Sequence, residues 1–149
     1  MKHLKMNKPQ CLLYSAAMVL DVDVDEITTH IGHDGLEIVD DKLEAPFCYR
    51  GVHPQEICDF AWSMLRNFQL IQAMPVLKCQ TSETKTEVYP ESAGERFFRY
   101  VEGKHAIITG INKQGNKHAV AYDGQMILDP NGTTYEIGEF GISEAWVLI

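Results

Sequence analysis

The sequence predicts an α+β fold in which N-terminal helices pack on a C-terminal antiparallel sheet. Two observations predict it: apolar residues recur at helical spacing through most of the first half of the chain, and residues 105–149 form short β-rich runs separated by turn residues. The chain has 149 residues, of which 45% are hydrophobic and 23% charged. This length and composition predict a single globular domain spanning residues 1–149.

Two helices are predicted near the start of the chain. Residues 11–20 are apolar almost all round, which suits a buried helix. Three lysines precede this run as a basic region precedes the apolar core of a signal peptide, but no cleavage-site pattern follows, so we interpret the run as a core helix. Asp23 or Asp25 is suited to cap a short second helix that ends near Gly32.

A third helix is predicted from Pro54, a residue suited to the first helical position. Its apolar face is expected to include Leu65 and to continue through Phe68, and the same stripe places Cys58 in the core. We expect Trp62 in the core as well.

The predicted elements after the third helix are mixed. Residues 70–76 predict a strand, residues 80–90 an exposed polar loop and residues 93–101 a fourth helix. The strands predicted beyond it cover residues 105–111, 117–122, 125–129, 133–137 and 145–149.

The charge balance bears on the partners that the protein can have. The chain carries 13 Lys and Arg against 21 Asp and Glu, a net charge of −8, with no run of basic residues. This balance argues against nucleic acid or an anionic membrane as the partner. No stretch of 18 apolar residues is present, so we expect no membrane-spanning helix.

The cysteines stand at positions 11, 48, 58 and 79. They are too widely spaced for a zinc-binding pair and too few for a disulfide scaffold, so we expect reduced thiols and a cytoplasmic protein. His30 and His33 lack a second Cys or His pair at matching spacing. The sequence therefore predicts neither a metal site nor a cofactor.

A histidine and a carboxylate are predicted to face each other in a hairpin. The Asp-Gly pair after Tyr122 predicts a two-residue turn, which would pair Tyr122 with Gln125. The same register places His118 opposite Asp129, with Cβ atoms about 5 Å apart. A carboxylate there accepts a hydrogen bond from the imidazole and favours its protonated form. His105 lies in a similar Lys-His-Ala pattern, but no hairpin places a carboxylate opposite it.

The candidate nucleophile is Cys11, which stands where a loop ending in Gln10 becomes the first helix. A thiol at a helix N-terminus has its pKa lowered by the positive end of the helix dipole. The free N–H groups of the same turn can stabilise an oxyanion.

The chain resembles the papain-like cysteine peptidases, especially the C39-like branch, in the order of its motifs: a Cys that begins a helix, then a His in a strand, then an Asp-Pro. Two further segments, residues 31–35 and 51–56, resemble small papain-like proteins of bacteriophages. The segments with the likeness to the peptidases are QCLLYSAAM from residue 10, KHAVAY from residue 117 and ILDPNG from residue 127.

The resemblance implies a papain-like fold and a role for each of three residues. Cys11 would be the nucleophile, His118 the general base and acid, and Asp129 the residue that orients the imidazole. The family usually places an oxyanion-binding Gln six residues before the Cys, where this chain has Lys5. Gln10 is the candidate substitute, alone or together with backbone amides. The implied substrate is a peptide or protein, and no cofactor is required.

The resulting hypothesis is a cysteine hydrolase, a peptidase or amidase, that cleaves an amide bond through a thioester. Two alternatives stay open. The same triad runs acyl transfer, including transglutamination, when an amine replaces water. A papain-like shell can also act by binding alone, for example as a phage-encoded blocker of a factor in the host cytoplasm.

Overall fold

The computed structural model describes the backbone of residues 1–73, 76–80, 85–88 and 91–149, and the side chains of residues 1–73 and 96–149. Within these residues the chain forms four α-helices and a six-stranded antiparallel sheet. The helices of the first half pack on a sheet built mainly from the second half, so the predicted α+β class is confirmed.

The first two helices begin and end as predicted. The second helix follows Asp23, whose backbone N–H donates to Glu26 Oε1 at 3.0 Å, and it ends at Gly32, whose φ is +84°. None of the helices in the described part of the chain is long and apolar enough to cross a membrane. The helices are α1 (Cys11–Leu20), α2 (Val24–Ile31), α3 (Pro54–Ser63) and α4 (Glu91–Val101).

Helix α3 starts at Pro54 as predicted but ends at Ser63, five residues before the predicted apolar face does, and Phe68 belongs to a strand. Leu65 has a φ of +58° and is 93% exposed. The chain reverses there because the N–H groups of residues 64–66, just after the helix, donate to carbonyls of its last turn. Trp62 is 68% exposed and Cys58 only half-buried, so the core positions predicted for them are wrong. The buried residues of α3 are Ile57, Phe60 and Ala61.

The six strands of the main sheet lie in the order β1-β8-β4-β5-β6-β7, while β2 and β3 form a separate hairpin. A short 3-10 helix, Ile137–Glu139, precedes the last strand. The strands are β1 (Phe68–Gln72), β2 (Val76–Gln80), β3 (Lys85–Val88), β4 (Ala106–Ile111), β5 (Lys117–Tyr122), β6 (Ile127–Leu128), β7 (Thr134–Tyr135) and β8 (Gly141–Leu148).

Several predicted strand boundaries are corrected by the pairing. The strand predicted at residues 70–76 corresponds in its first part to β1, which begins earlier because Phe68 pairs with Leu148 of β8, and which ends at Gln72. Residues 74–75 lie outside the described residues, and Val76 begins β2. The loop predicted at residues 80–90 contains β3, which pairs with β2. Residues 81–84 and 89–90 of that loop lie outside the described residues.

Alternate residues of the central strands belong to two different cores. Ile107 of β4 and Ala119 of β5 pack with the buried residues of α1, α2 and α3. Their neighbours Ile108 and Val120 pack on the opposite face, with Val101 at the end of α4. Both faces of the sheet are therefore covered, as period-two alternation requires of a buried strand.

Helix α1 packs mainly on β5, and both elements contribute small side chains to their shared core. Ala16 and Ala17 of α1 are almost inaccessible, as are Ala119 and Ala121 of β5. Small residues on both sides allow the helix to approach the strand closely. The first residue of α1, Cys11, is thereby brought to the beginning of β5.

The turn between β5 and β6 differs from the predicted two-residue turn. Tyr122 pairs with Ile127 and not with Gln125. Asp123 Oδ1 accepts the backbone N–H groups of Gln125 at 2.9 Å and Met126 at 2.8 Å, and these bonds hold a four-residue turn. The N–H of Asp123 also donates to the carbonyl of Met126 at 3.1 Å, so the tight reversal falls on Gly124 and Gln125, one residue later than the Asp-Gly pair predicts.

We expect Gly124→Ala to lower the free energy of unfolding by roughly 2 to 4 kcal/mol. Gly124 has a φ of +98°, and a Cβ there would stand 2.8 Å from the carbonyl carbon of Gly103. Gly115→Ala is the matched control, because Gly115 has a φ of +82° with nothing within 4 Å. The control should lose about 1 kcal/mol in urea unfolding, and equal losses would contradict the close approach.

Candidate active site

The thiol of Cys11 lies at the junction of α1 and β5. Cys11 is the first residue of α1 and half-buried. Its thiol interacts with the side chain of His118 and with the backbone of Ala119, both in β5. The structure therefore brings the predicted nucleophile and the predicted base together.

The surroundings of Cys11 favour its thiolate. Burial by itself raises the pKa of the thiol, but the hydrogen bonds from His118 and from the backbone N–H groups of Ala119 and Leu12 outweigh it. The charge of the imidazolium acts in the same direction, so the pKa of Cys11 falls below the ordinary value of a thiol.

His118 joins the thiol to a carboxylate. Its Nε2 donates to Asp129 Oδ1 at 2.8 Å, so Nδ1 is the ring nitrogen left to exchange a proton with Cys11. The strand register that predicts this contact is wrong by two residues: Ala121 lies opposite Leu128, which places Asp129 opposite Val120. A shift of two residues keeps the same face, and the His side chain reaches the diagonal position.

The charged form of His118 is strongly favoured. Burial lowers the pKa of the imidazole, whose side chain is 10% exposed. The hydrogen bonds and the negative charges of Asp129 and Cys11 outweigh burial and raise the pKa from 6.5 to about 9. The imidazolium therefore persists through neutral pH and loses its proton only as the pH rises towards 9.

Asp129 is 2% exposed, and both carboxylate oxygens are hydrogen-bonded. Besides the imidazole, Oδ1 accepts the N–H of Asn131 at 2.9 Å, and Oδ2 accepts the hydroxyl of Tyr135 at 2.7 Å. Burial raises the pKa of Asp129, but these donors lower it by more, with a net shift below the ordinary value. The carboxylate therefore stays ionised inside the protein.

Tyr135 is a site residue that our sequence analysis missed. Its position follows from the turn after Asp129, where the Gly132 N–H donates to the Asp129 carbonyl at 2.9 Å. That turn pairs Ile127 with Tyr135, and alternation puts Tyr135 on the face that Asp129 uses. The Asp-Pro-Asn-Gly sequence was a signal from which this pairing could have been worked out.

Phe140, also missed, shields the imidazole. It is 5% exposed, and its ring centroid lies 6.4 Å from that of His118. Gly110 pairs with His118 in the ladder of β4 and β5, and a Cβ on Gly110 would clash with the carbonyl of Gly141 and come within 3.0 Å of Phe140 Cε1. The absence of a side chain at Gly110 leaves the space in which Phe140 packs beside His118.

Gln10, the predicted oxyanion residue, lies directly before the predicted nucleophile. Its Nε2 donates to the carbonyl of Asp34 at 2.9 Å, which links the start of α1 to the loop before α3. An amide nitrogen carries two hydrogens, so one donor remains for another partner. Lys5, at the position where the family has its Gln, is exposed and lies over Gly132.

The remaining histidines lie in other surroundings. His105 is exposed, and His33 Nε2 donates to Glu56 Oε1 at 2.7 Å. His53 caps α3 by accepting the N–H of Gln55 on Nδ1. Across the residues that the structure describes, no group of three or more His, Cys, Asp or Glu side chains is arranged to hold a metal ion.

Comparison with protein-family models finds no match, and comparison with curated proteins finds none either. The geometry is that of a thiol beside an imidazole that is hydrogen-bonded to a carboxylate, which suits a nucleophile, a base and an orienting group. A thiolate beside an imidazolium can attack a carbonyl carbon and return a proton to the leaving group.

We expect the ring of His118 to titrate with a pKa of about 9, as followed by NMR of its Cε1–H group. Asp129→Asn should lower this value towards 6.5, because the substitution removes a negative charge in contact with the imidazole. Asp41→Asn, the matched control, removes an exposed carboxylate of the loop before α3 and should leave the titration unchanged. A wild-type pKa near 6.5 would contradict the charged pair.

Proposed function

We propose that the protein is a cysteine hydrolase that cleaves an amide bond with the triad Cys11, His118 and Asp129. One observation carries the proposal: His118 lies between a thiol whose pKa it lowers and a buried, ionised carboxylate, to which its Nε2 donates a hydrogen bond. This is the relation of nucleophile, base and orienting residue that acyl transfer through a covalent intermediate needs.

The order and packing of the elements support a papain-like arrangement. The nucleophile begins the first helix, the base lies in a strand beneath that helix, and the carboxylate follows the next strand. The resemblance in the sequence has the same order. The substrate that it implies is a peptide or protein, and the expected location is the cytoplasm.

The proposed reaction has two halves. The Cys11 thiolate attacks the amide carbonyl carbon, and the imidazolium of His118 gives its Nδ1 proton to the leaving amine as the C–N bond breaks. The resulting thioester is attacked by water, which passes one proton to the now neutral imidazole. The acid product leaves, and the thiolate and imidazolium are restored.

The oxyanion would be stabilised at the start of α1. The first N–H groups of a helix have no carbonyl partner within the helix and lie at the positive end of its dipole. The backbone N–H of Cys11 and the remaining amide donor of Gln10 are the candidate groups.

One observation favours a second candidate, a papain-like protein that binds without catalysis. The position six residues before the nucleophile holds the exposed Lys5, and the Gln10 amide is partly used by Asp34. Fewer side-chain donors for an oxyanion would weaken turnover while leaving the shell intact.

We expect iodoacetamide to label Cys11 at pH 6 at least ten times faster than Cys58, roughly in proportion to their thiolate fractions. Cys58 is the internal control: it is also half-buried, but burial and the charge of Asp59 raise its pKa. His118→Gln should remove most of the advantage of Cys11, because the charge that stabilises the thiolate is lost. Equal labelling of the two thiols in the wild-type protein would contradict an activated nucleophile.

Turnover is tested with fluorogenic peptide amides and unfolded protein substrates, with and without an added primary amine. We expect Cys11→Ala to reduce cleavage by roughly a thousandfold or more, and mass spectrometry to detect a thioester on Cys11 in the wild-type protein. Amine-linked products in place of acids would assign acyl transfer. Full cleavage by Cys11→Ala would refute the hydrolase, and a reactive Cys11 without turnover would assign the binding function.

A further inference from the structure

The first six residues lie along the turn that follows Asp129. His3 Nε2 donates to the backbone carbonyl of Asp129 at 2.7 Å. The N–H of Met6 donates to the carbonyl of Pro130 at 2.8 Å, and the stem of Lys5 covers Gly132. We call residues 1–6 the N-terminal arm. Its residues His3, Lys5 and Met6 therefore all contact the turn formed by residues 129–132.

The carbonyl of Asp129 is fully used by two donors. One is the N–H of Gly132 at 2.9 Å, which closes the turn, and the other is His3. The N–H of Asp129 donates to the carbonyl of Thr133 at 2.9 Å. All the backbone partners of Asp129 are local in sequence except His3, which is 126 residues away.

The same arm is attached to α1. The backbone N–H of Leu4 donates to Met18 Sδ at 3.2 Å, and the side chains of Met1 and Leu4 pack on the core that α1 shares with the sheet. The arm therefore connects the helix that carries Cys11 to the turn that carries Asp129.

We propose that His3 is a positioning residue for the triad: its bond to the Asp129 carbonyl fixes the backbone from which the carboxylate reaches His118. The inference rests on the proposed function, since it assigns His3 a part in the same site. His3 acts only through Asp129.

Loss of the His3 bond has a definite consequence for the site. Asp129 would keep its local turn but gain freedom to move away from the imidazole, so its bond to His118 would lengthen on average. A weaker carboxylate contact favours the neutral imidazole, and the Cys11 thiolate then loses part of the charge that stabilises it. Reactivity of Cys11 below neutral pH should fall first.

The experiment compares His3→Ala with His3→Gln in the full chain. The Gln amide can donate to the same carbonyl, whereas Ala cannot. Ile57→Val is the control for general destabilisation, because it removes one buried methyl group from α3, outside the site. The measurements are the rate of Cys11 labelling by iodoacetamide between pH 5 and 9 and the NMR titration of His118.

We expect His3→Ala to slow the labelling of Cys11 at pH 6 by roughly 3- to 10-fold. The pH dependence of labelling should shift to higher pH, and the pKa of His118 should fall. His3→Gln should restore most of the rate, and Ile57→Val should match the wild-type protein. The proposal is overturned if His3→Ala labels as fast as wild type, if His3→Gln is as slow as His3→Ala, or if Ile57→Val produces the same loss.

The two proposals fail in different ways. If wild-type Cys11 reacts no faster than Cys58 and His118→Gln changes nothing, the proposed function fails and the role of His3 fails with it. If wild-type Cys11 is activated but insensitive to His3→Ala, only the positioning role is lost.

Discussion

The close packing of α1 on β5 is the constraint on which the site depends. Both elements contribute alanines to the core that they share, among them Ala17 of the helix and Ala119 and Ala121 of the strand, which are almost inaccessible. Larger side chains would hold the helix away from the sheet. The thiol of Cys11 would then no longer reach His118 or the backbone of Ala119, and the interactions that lower its pKa would be lost.

Burial opposes every charge in this site, and each charge is retained only because of the others. Desolvation is the largest single effect on Cys11, His118 and Asp129, and in each of them hydrogen bonds and opposite charges outweigh it. Removing one member leaves the remaining charges buried with fewer partners, which is more costly than a lost surface ion pair. Tyr135 and Asn131 contribute by filling the lone pairs of the carboxylate that the imidazole does not use.

Local patterns in the sequence predict the parts of this site that local interactions determine. The apolar run predicts α1 and the position of Cys11 at its first residue, and the hairpin predicts that His118 and Asp129 share a face. The register was missed because the reversal falls on Gly124 and Gln125, one residue later than predicted, where the Asp123 side chain accepts the N–H groups of Gln125 and Met126. Phe140 could not be predicted in the same way, because it reaches the site from an element distant in the chain.

In the proposed mechanism, the raised pKa of His118 accounts for one imidazole acting as an acid first and as a base later. In the resting site the thiolate and the carboxylate both favour the imidazolium, so the proton needed by a leaving amine is already in place. Formation of a thioester removes the charge on Cys11, which is one of the groups that raise the pKa of His118. The pKa must then fall, and the neutral imidazole that results can accept a proton from water. In the proposed mechanism, the covalent state of Cys11 therefore sets the role of His118 in each half of the reaction.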